Sequence, residues 1–230
     1  EYTWSSTGEK QSIKYPDASI VTYEYDLLGR LTKVKDAQKK TTTYQYDKNS
    51  NVIQELLPNG VKTKHQYDAL SRLTRLSNYS KKGKITDDYQ YTYDAAGNKI
   101  KVQRNKFNNE LSVIFDETEG VTNYKYDQLN QLTEVAKPNQ TRQKYFYDTV
   151  GNRVRKENWV RSTFRDVFVD ASDYNYDLQN RLTKINIQGV PLFGRDFLNQ
   201  TIQMEYDERG NLIKTTSGNS VLSQYSFNTA

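Results

Sequence analysis

Among the side chains that most often do acid–base chemistry, this 230-residue chain holds carboxylates and a single histidine. The carboxylates recur. An Asp closes a Tyr-x-Tyr pair at Tyr23-x-Tyr25-Asp26, Tyr44-x-Tyr46-Asp47, Tyr91-x-Tyr93-Asp94, Tyr124-x-Tyr126-Asp127, Tyr145-x-Tyr147-Asp148 and Tyr174-x-Tyr176-Asp177. Two more copies change the first aromatic, with His65 before Tyr67-Asp68 and Met204 before Tyr206-Asp207. A glycosidase needs only two carboxylates, but a group that returns in every repeat is placed by the repeat rather than by one reaction. A Ser-His-Asp triad would rest on His65 alone, and His65 fills a tyrosine position. The absence of cysteine excludes disulfides and thiolate metal sites. No G-x-G-x-x-G, P-loop or His-rich metal spacing occurs. Asp116, Glu117 and Glu119 lack the spacing of a calcium loop and read as solvated. No catalytic residue, cofactor or metal is expected.

The element that must position the aspartates is a β-hairpin. Tyrosines two apart lie on one face of a strand. Asp then opens a turn, because its carboxylate accepts from backbone N–H groups just ahead. Three residues after each Asp stand Gly29, Ser50, Ser71, Gly97, Asn130, Gly151, Asn180 and Gly210, mostly types that tolerate φ > 0. A type I turn followed by a left-handed residue is a common hairpin connection. Successive Asp residues are 21, 21, 26, 33, 21, 29 and 30 apart, and a worn ninth copy, Tyr225-Ser226-Phe227-Asn228, follows after 21 more. The basic unit is therefore strand, tight turn, strand.

The copies alternate. Odd ones continue Leu31-Thr32, Leu73-Thr74, Leu132-Thr133 and Leu182-Thr183, then place Val34, Leu76, Val135 and Ile185. Even ones carry Ile53, Ile100, Val154 and Ile213 six residues after Asp. This predicts paired hairpins with different surroundings, such as two edges or two layers of one ribbon. Leu31 and Val34, three apart, would point to opposite faces of a flat strand, and a bulge or a two-sided sheet would reconcile them.

Apolar residues make up 35%, mean hydropathy is −0.94, the net charge is +5, and there are 19 tyrosines. That balance predicts a broad, thin, well-wetted sheet rather than a thick core. No apolar run approaches the roughly 18 residues of a membrane helix, so no membrane insertion is expected. Tyr interleaved with Lys and Arg could form a nucleic-acid stacking groove, but 14 of the 19 tyrosines sit in the motifs, where strand packing explains them. No nucleic-acid partner is expected.

Residues 1–22 read as a partial unit, and 79–90 as a solvated, Lys-rich long turn. Residues 102–123 form the longest insertion. Two late insertions, 155–173 and 186–205, hold Trp159, Phe164, Phe168, Phe193 and Phe197 outside the repeat grid. They read as longer hairpins. Trp159 and Phe193 are the candidate ligand contacts if those aromatics instead meet a sugar or a protein. The sequons at Asn78, Asn139 and Asn199 are not expected to be modified. The chain reads as one array over 1–230, cut from a longer one.

Tyr-x-Tyr-Asp-x-x-Gly-Arg-Leu alternating with Tyr-x-Tyr-Asp-x-x-Gly-Asn resembles the RHS or YD-repeat family across essentially the whole chain. That family includes bacterial Rhs polymorphic toxins, wall-associated proteins, the B–C shell of insecticidal toxin complexes and teneurins. The resemblance implies a hairpin ribbon spiralling into a hollow shell that, in toxin members, encloses the protein's own C-terminal toxin domain. It also implies a bacterial secreted or cell-surface setting, and for some members carbohydrate binding. The Asp-Pro-x-Gly-Leu core segment of the family does not occur in these residues. About 18 strands at roughly 4.8 Å give an edge of about 85 Å, a wall segment rather than a container.

Overall fold

The computed structural model describes residues 1–107, 119–163, 165–190 and 199–226. Among these residues the fold is all-β: nineteen strands in one open antiparallel sheet, each hydrogen-bonded to the next along the chain. The early strands are β1 (Tyr2–Trp4), β2 (Lys10–Lys14), β3 (Ile20–Tyr25), β4 (Leu31–Lys35), β5 (Thr41–Tyr46), β6 (Val52–Leu56), β7 (Lys62–Tyr67), β8 (Leu73–Tyr79), β9 (Ile85–Tyr93) and β10 (Lys99–Lys106). They are followed by β11 (Gly120–Tyr126), β12 (Leu132–Ala136), β13 (Thr141–Tyr147), β14 (Arg153–Arg161), β15 (Asp166–Tyr176), β16 (Leu182–Gly189), β17 (Asn199–Tyr206), β18 (Leu212–Ser217) and β19 (Ser220–Gln224). The chain forms two compact units, one of Glu1–Tyr93 with Lys101–Val121, the other of Asp94–Ile100 with Thr122–Ala230.

Each Tyr-x-Tyr-Asp segment ends the first strand of a hairpin, and the residues after its turn begin the second. The ladder slips once per hairpin. Glu24 faces Lys33 but Tyr25 faces Leu31, so Thr32 is an extra, bulged residue. The same slip leaves out Ile53, Thr74, Thr133, Val154, Thr183 and Ile213. A bulge shifts side-chain parity by one, which brings Leu31 and Val34 to the face carrying Tyr23 and Tyr25. The sequence alternation therefore resides at the bulge, Thr in odd copies and Ile or Val in even ones. It does not assign successive hairpins to different edges: within each unit the motif turns stack on one edge, and the intervening turns lie on the other.

Little is deeply buried. Val135, opposite Tyr124, is 7% exposed and Ala171 is 0% exposed. A single-layer sheet buries its side chains against strand neighbours, and cross-strand pairs are the stabilising unit. Residues 79–90 differ from the solvated turn that their lysines predict. Only Ser80–Lys84 turns there, while Ile85–Tyr93 is a nine-residue strand. Within that strand Asp88, 2% exposed, accepts from Arg75 Nε (2.7 Å) and Ser77 Oγ (2.6 Å). Residues 1–22 hold more than a partial unit. Tyr2-Thr3-Trp4-Ser5 is a further copy, with Ser5 in the Asp position, Gly8 at φ 92° and the ladder slip at Trp4.

Candidate functional site

The recurrent site is the motif turn. In the first complete copy the Asp26 N–H donates to Arg30 O (2.9 Å) and the Gly29 N–H to Asp26 O (3.0 Å). The carboxylate closes the loop: Oδ1 accepts from the N–H groups of Leu28 and Arg30, and Oδ2 from Arg30 Nε (2.7 Å). The fourth position after Asp is Arg, Asn or Gln throughout, and both Arg and Asn reach that second oxygen, as Asn51 does at 3.0 Å. Ser50, Ser71, Asn130 and Asn180 occupy the left-handed region at φ 58–66°, beside Gly29, Gly97, Gly151 and Gly210 in the same place.

These hydrogen bonds shift the carboxyls. The Arg30 side chain holds Asp26 below the usual carboxylate value, and Asn51, Asn98 and Asn211 do so for Asp47, Asp94 and Asp207. The backbone N–H of Arg72 leads for Asp68. At Asp148 and Asp177 burial pushes upward, and donors from Asn152 and Arg181 outweigh it. A carboxylate so engaged stays charged and serves its own turn, which is unlike the free or proton-sharing carboxyl an acid–base pair needs.

Above the turn, in odd copies, the hydroxyl of the bulged Thr donates across the hairpin to a backbone carbonyl: Thr32 to Glu24 O, Thr74 to Gln66 O, Thr133 to Lys125 O and Thr183 to Asn175 O, at 3.1–3.2 Å.

The second tyrosine of each motif ties neighbouring hairpins together. Its hydroxyl donates to the carbonyl of the first residue of the preceding strand: Tyr25 to Lys10, Tyr46 to Leu31, Tyr67 to Val52, Tyr93 to Leu73, Tyr126 to Lys99, Tyr147 to Leu132, Tyr176 to Arg153 and Tyr206 to Leu182, all at 2.7–3.0 Å. The β4–β5 ladder ends at Lys33↔Thr43, before Leu31, so this carbonyl lies beyond the last ladder pair and takes the phenol instead.

The first tyrosines pack cross-strand, Tyr23 on Val34, Tyr44 on Glu55, Tyr124 on Val135, Tyr145 on Lys156 and Tyr174 on Ile185, while Tyr91 lies within β9. The residue four after Asp also reaches forward. Arg30 donates to Asp47 O (2.9 Å) and lies 4.7 Å from the Tyr46 ring. Asn51 donates to Ser71, Asn98 to Asn130 and Asn152 to Asn180.

His65 faces Leu76 from its tyrosine position, with Nδ1 buried and without a hydrogen-bond partner among the described residues. Burial pushes its imidazole down, against an opposing pull from Glu55. Trp159 is engaged on several sides: Phe168 meets it edge-on at 5.3 Å, Lys144 Nζ lies 5.0 Å from its ring, and its Nε1 donates to Glu157 (3.0 Å). Phe193 lies outside the described residues, as do Phe164, Phe197, Asp116 and Glu117. No cluster of metal-binding side chains occurs among the described residues, and no described helix is long and apolar enough to cross a membrane.

Capped turns, bulges and tyrosine ties repeated along one sheet define an all-β repeat protein. The teneurin YD-shell family matches residues 7–165. The chain is 30% identical over 164 residues to the probable deoxyribonuclease RhsB of Dickeya dadantii (strain 3937), an alignment covering 67% of this chain and 11% of that protein. It superposes on the Photorhabdus luminescens Tc holotoxin pore with a TM-score of 0.58 and 15% identity, covering 93% of this chain and 13% of that one. For the TcdB2-TccC3 crystal structure the TM-score is 0.59 at 15% identity, covering 96% and 14%. The chain belongs to the YD-shell family, which joins teneurins and Rhs proteins. It spans between a tenth and a seventh of the length of these relatives.

Proposed function

We propose that residues 1–230 form one non-enzymatic array, a wall segment in the shell of a bacterial secreted or cell-surface toxin-like protein. Its partners are neighbouring repeats and the protein's own C-terminal toxin domain, which the shell encloses or presents. The observation that carries this reading is the run of eight tyrosine hydroxyls, each taken up by the hairpin before it. Side chains that recur in this way serve the sheet, and the motif carboxylates among them serve their own turns.

The test uses the natural gene product that carries this array. Limited proteolysis is expected to spare a domain following the array while the array is folded, and to cleave it once the Tyr46→Phe/Tyr67→Phe/Tyr147→Phe variant opens the sheet. Equal cleavage in both would overturn enclosure. A glycan array run beside it addresses the adhesive alternative: specific binding lost in Trp159→Ala/Phe193→Ala would move the function to a carbohydrate contact.

A further inference from the structure

The edge of the first unit that lies opposite the motif turns concentrates positive charge. Its four turns fall at residues 15–19, 36–40, 57–61 and 80–84. Successive turns are two strands apart, about 10 Å, so the row is about 29 Å long. The second and fourth carry five exposed lysines, Lys39, Lys40, Lys81, Lys82 and Lys84, in a chain whose whole net charge is +5. Two aspartates share the row, and each carboxylate is taken up by its own turn. Asp17 accepts from the N–H and hydroxyl of Ser19, and Asp36 from the N–H groups of Gln38 and Lys40. None of the five lysines forms an ion pair among the described residues, whereas Lys14, Lys33, Lys125 and Lys214 each meet a glutamate.

A run of lysines alone is ordinarily a solvated face. Here apolar side chains alternate with the charge. The first turn exposes Tyr15 (46%), with Ile20 (46%) just beyond it, and the third exposes Leu57 (37%) beside Pro58. Neighbouring turns also lie against one another. A groove of about 350 Å³ between the first two is lined by Ile20, Lys35 and Lys39 among others. Lys81 of the fourth lies so near Gly60 of the third that a Cβ added to Gly60 would come within 3.3 Å of the lysine's own.

A stretch built on the same motif brings no counter-charge to this row. Of the sixteen residues that follow the eight motif aspartates in pairs, the only acidic one is Glu208, and it stands beside Arg209. The motif aspartates themselves are engaged in their turns.

We propose that this edge of the first unit adsorbs to an anionic phospholipid surface. The lysine tips meet headgroup phosphates, the groove beside Lys35 and Lys39 takes one of them, and Tyr15, Ile20 and Leu57 enter the interfacial layer. A linear polyanion would use the charges and leave these three apolar side chains in water. The contact is peripheral and crosses no membrane. It does not depend on whether the array encloses a toxin, so it can fail while the wall reading stands.

The experiment is cosedimentation of the full chain with vesicles of phosphatidylcholine containing about one third phosphatidylglycerol, and with pure phosphatidylcholine, at about 0.1 M and about 0.5 M salt. Binding is expected to the anionic vesicles alone, and to fall at least tenfold at the higher salt. Lys81→Glu/Lys82→Glu/Lys84→Glu is expected to weaken it at least tenfold. Lys48→Glu/Lys125→Glu/Lys214→Glu makes the same change of charge elsewhere and is expected to weaken it far less. Tyr15→Ser/Leu57→Ser changes no charge and is expected to weaken it about threefold. Soluble polyphosphate is the second probe. No binding to anionic vesicles, equal binding to both kinds, or equal losses in the two lysine variants would each overturn the proposal. Polyphosphate binding as tight as vesicle binding, with Tyr15→Ser/Leu57→Ser neutral in both, would overturn it in favour of a linear polyanion. Circular dichroism confirms that the sheet persists in each variant.

Discussion

The phenol of Tyr46 donates to the carbonyl of Leu31 across 2.7 Å, joining two hairpins at the point where their backbone ladder has already ended. The hydroxyl does what the next amide of the strand would have done. Replacing it leaves a half-buried carbonyl without its partner, at a cost of about 1–2 kcal/mol. Tyr46→Phe is thus expected to lower the urea midpoint clearly. Tyr23→Phe, at the first aromatic position, retains its cross-strand packing on Val34 and should change it little. Equal effects from the two would refute the tie.

Gly29 adopts φ 72° in the Asp26 turn, and Asn130 and Asn180 hold φ 61° and 59° at the same turn position. A Cβ on Gly29 would meet only Glu9 Oε1 at 3.6 Å, an ordinary contact. The backbone angle alone therefore decides. Gly29→Val should cost roughly 1–3 kcal/mol and Gly29→Asn far less. Thermal melts of both variants separate angle from crowding; identical losses would point to crowding.

Asp88 is almost fully enclosed between Arg75, Ser77 and Gln90. Burial raises its carboxyl, and these donors together carry it below the ordinary value. Asp88→Ala would leave Arg75 without this carboxylate. Because Arg75 retains 39% side-chain exposure, water recovers part of the loss, and about 2 kcal/mol is expected rather than the 3–5 of a sealed pair. A denaturation midpoint unchanged from the parent chain would contradict the structural role of this cluster.

Two pH windows follow from linkage. The His65 imidazole titrates lower in the folded chain than its ordinary 6.5. The unfolded chain therefore takes up its proton first, and stability declines as pH falls through and below 6.5. His65→Tyr should abolish that shallow decline. The carboxyls of Asp26, Asp47, Asp94 and Asp207 titrate below their ordinary 3.8 in the folded state. Their stabilisation is present above 3.8 and is lost as pH falls further. A melting temperature that is flat between pH 7 and 5 in the parent chain would remove His65 from this account.

The hairpin and its register could be read from Tyr-x-Tyr-Asp because a period of two and a φ > 0 residue are properties of side-chain types. The bulge was detectable only as a conflict between Leu31 and Val34. The Tyr hydroxyl acceptors were not detectable, since a backbone carbonyl has no letter in a sequence. The first copy is masked in the sequence because Trp4 and Ser5 replace Tyr and Asp, although Ser can open the same turn. Lys81, Lys82 and Lys84 made residues 79–90 look solvated, whereas Asp88 is sheltered by partners eleven and thirteen residues away, Ser77 and Arg75. Trp159 was legible as an aromatic outside the grid; its engagement by Phe168 and Lys144 depends on strand register, which no single residue announces.

The forward reach of Arg30 and Asn51 gives the ribbon a direction, and with it a mode of growth. Each unit offers donors to its successor and acceptors from its predecessor. A tandem duplication therefore arrives already compatible with both sides. A copy of 21 residues would place two Thr-type or two Ile-type bulges side by side. A copy of 42, the distance from Asp26 to Asp68, preserves the alternation. Recombination in such genes is thus favoured in steps of two hairpins, and arrays can lengthen or shorten without any surviving residue having to change.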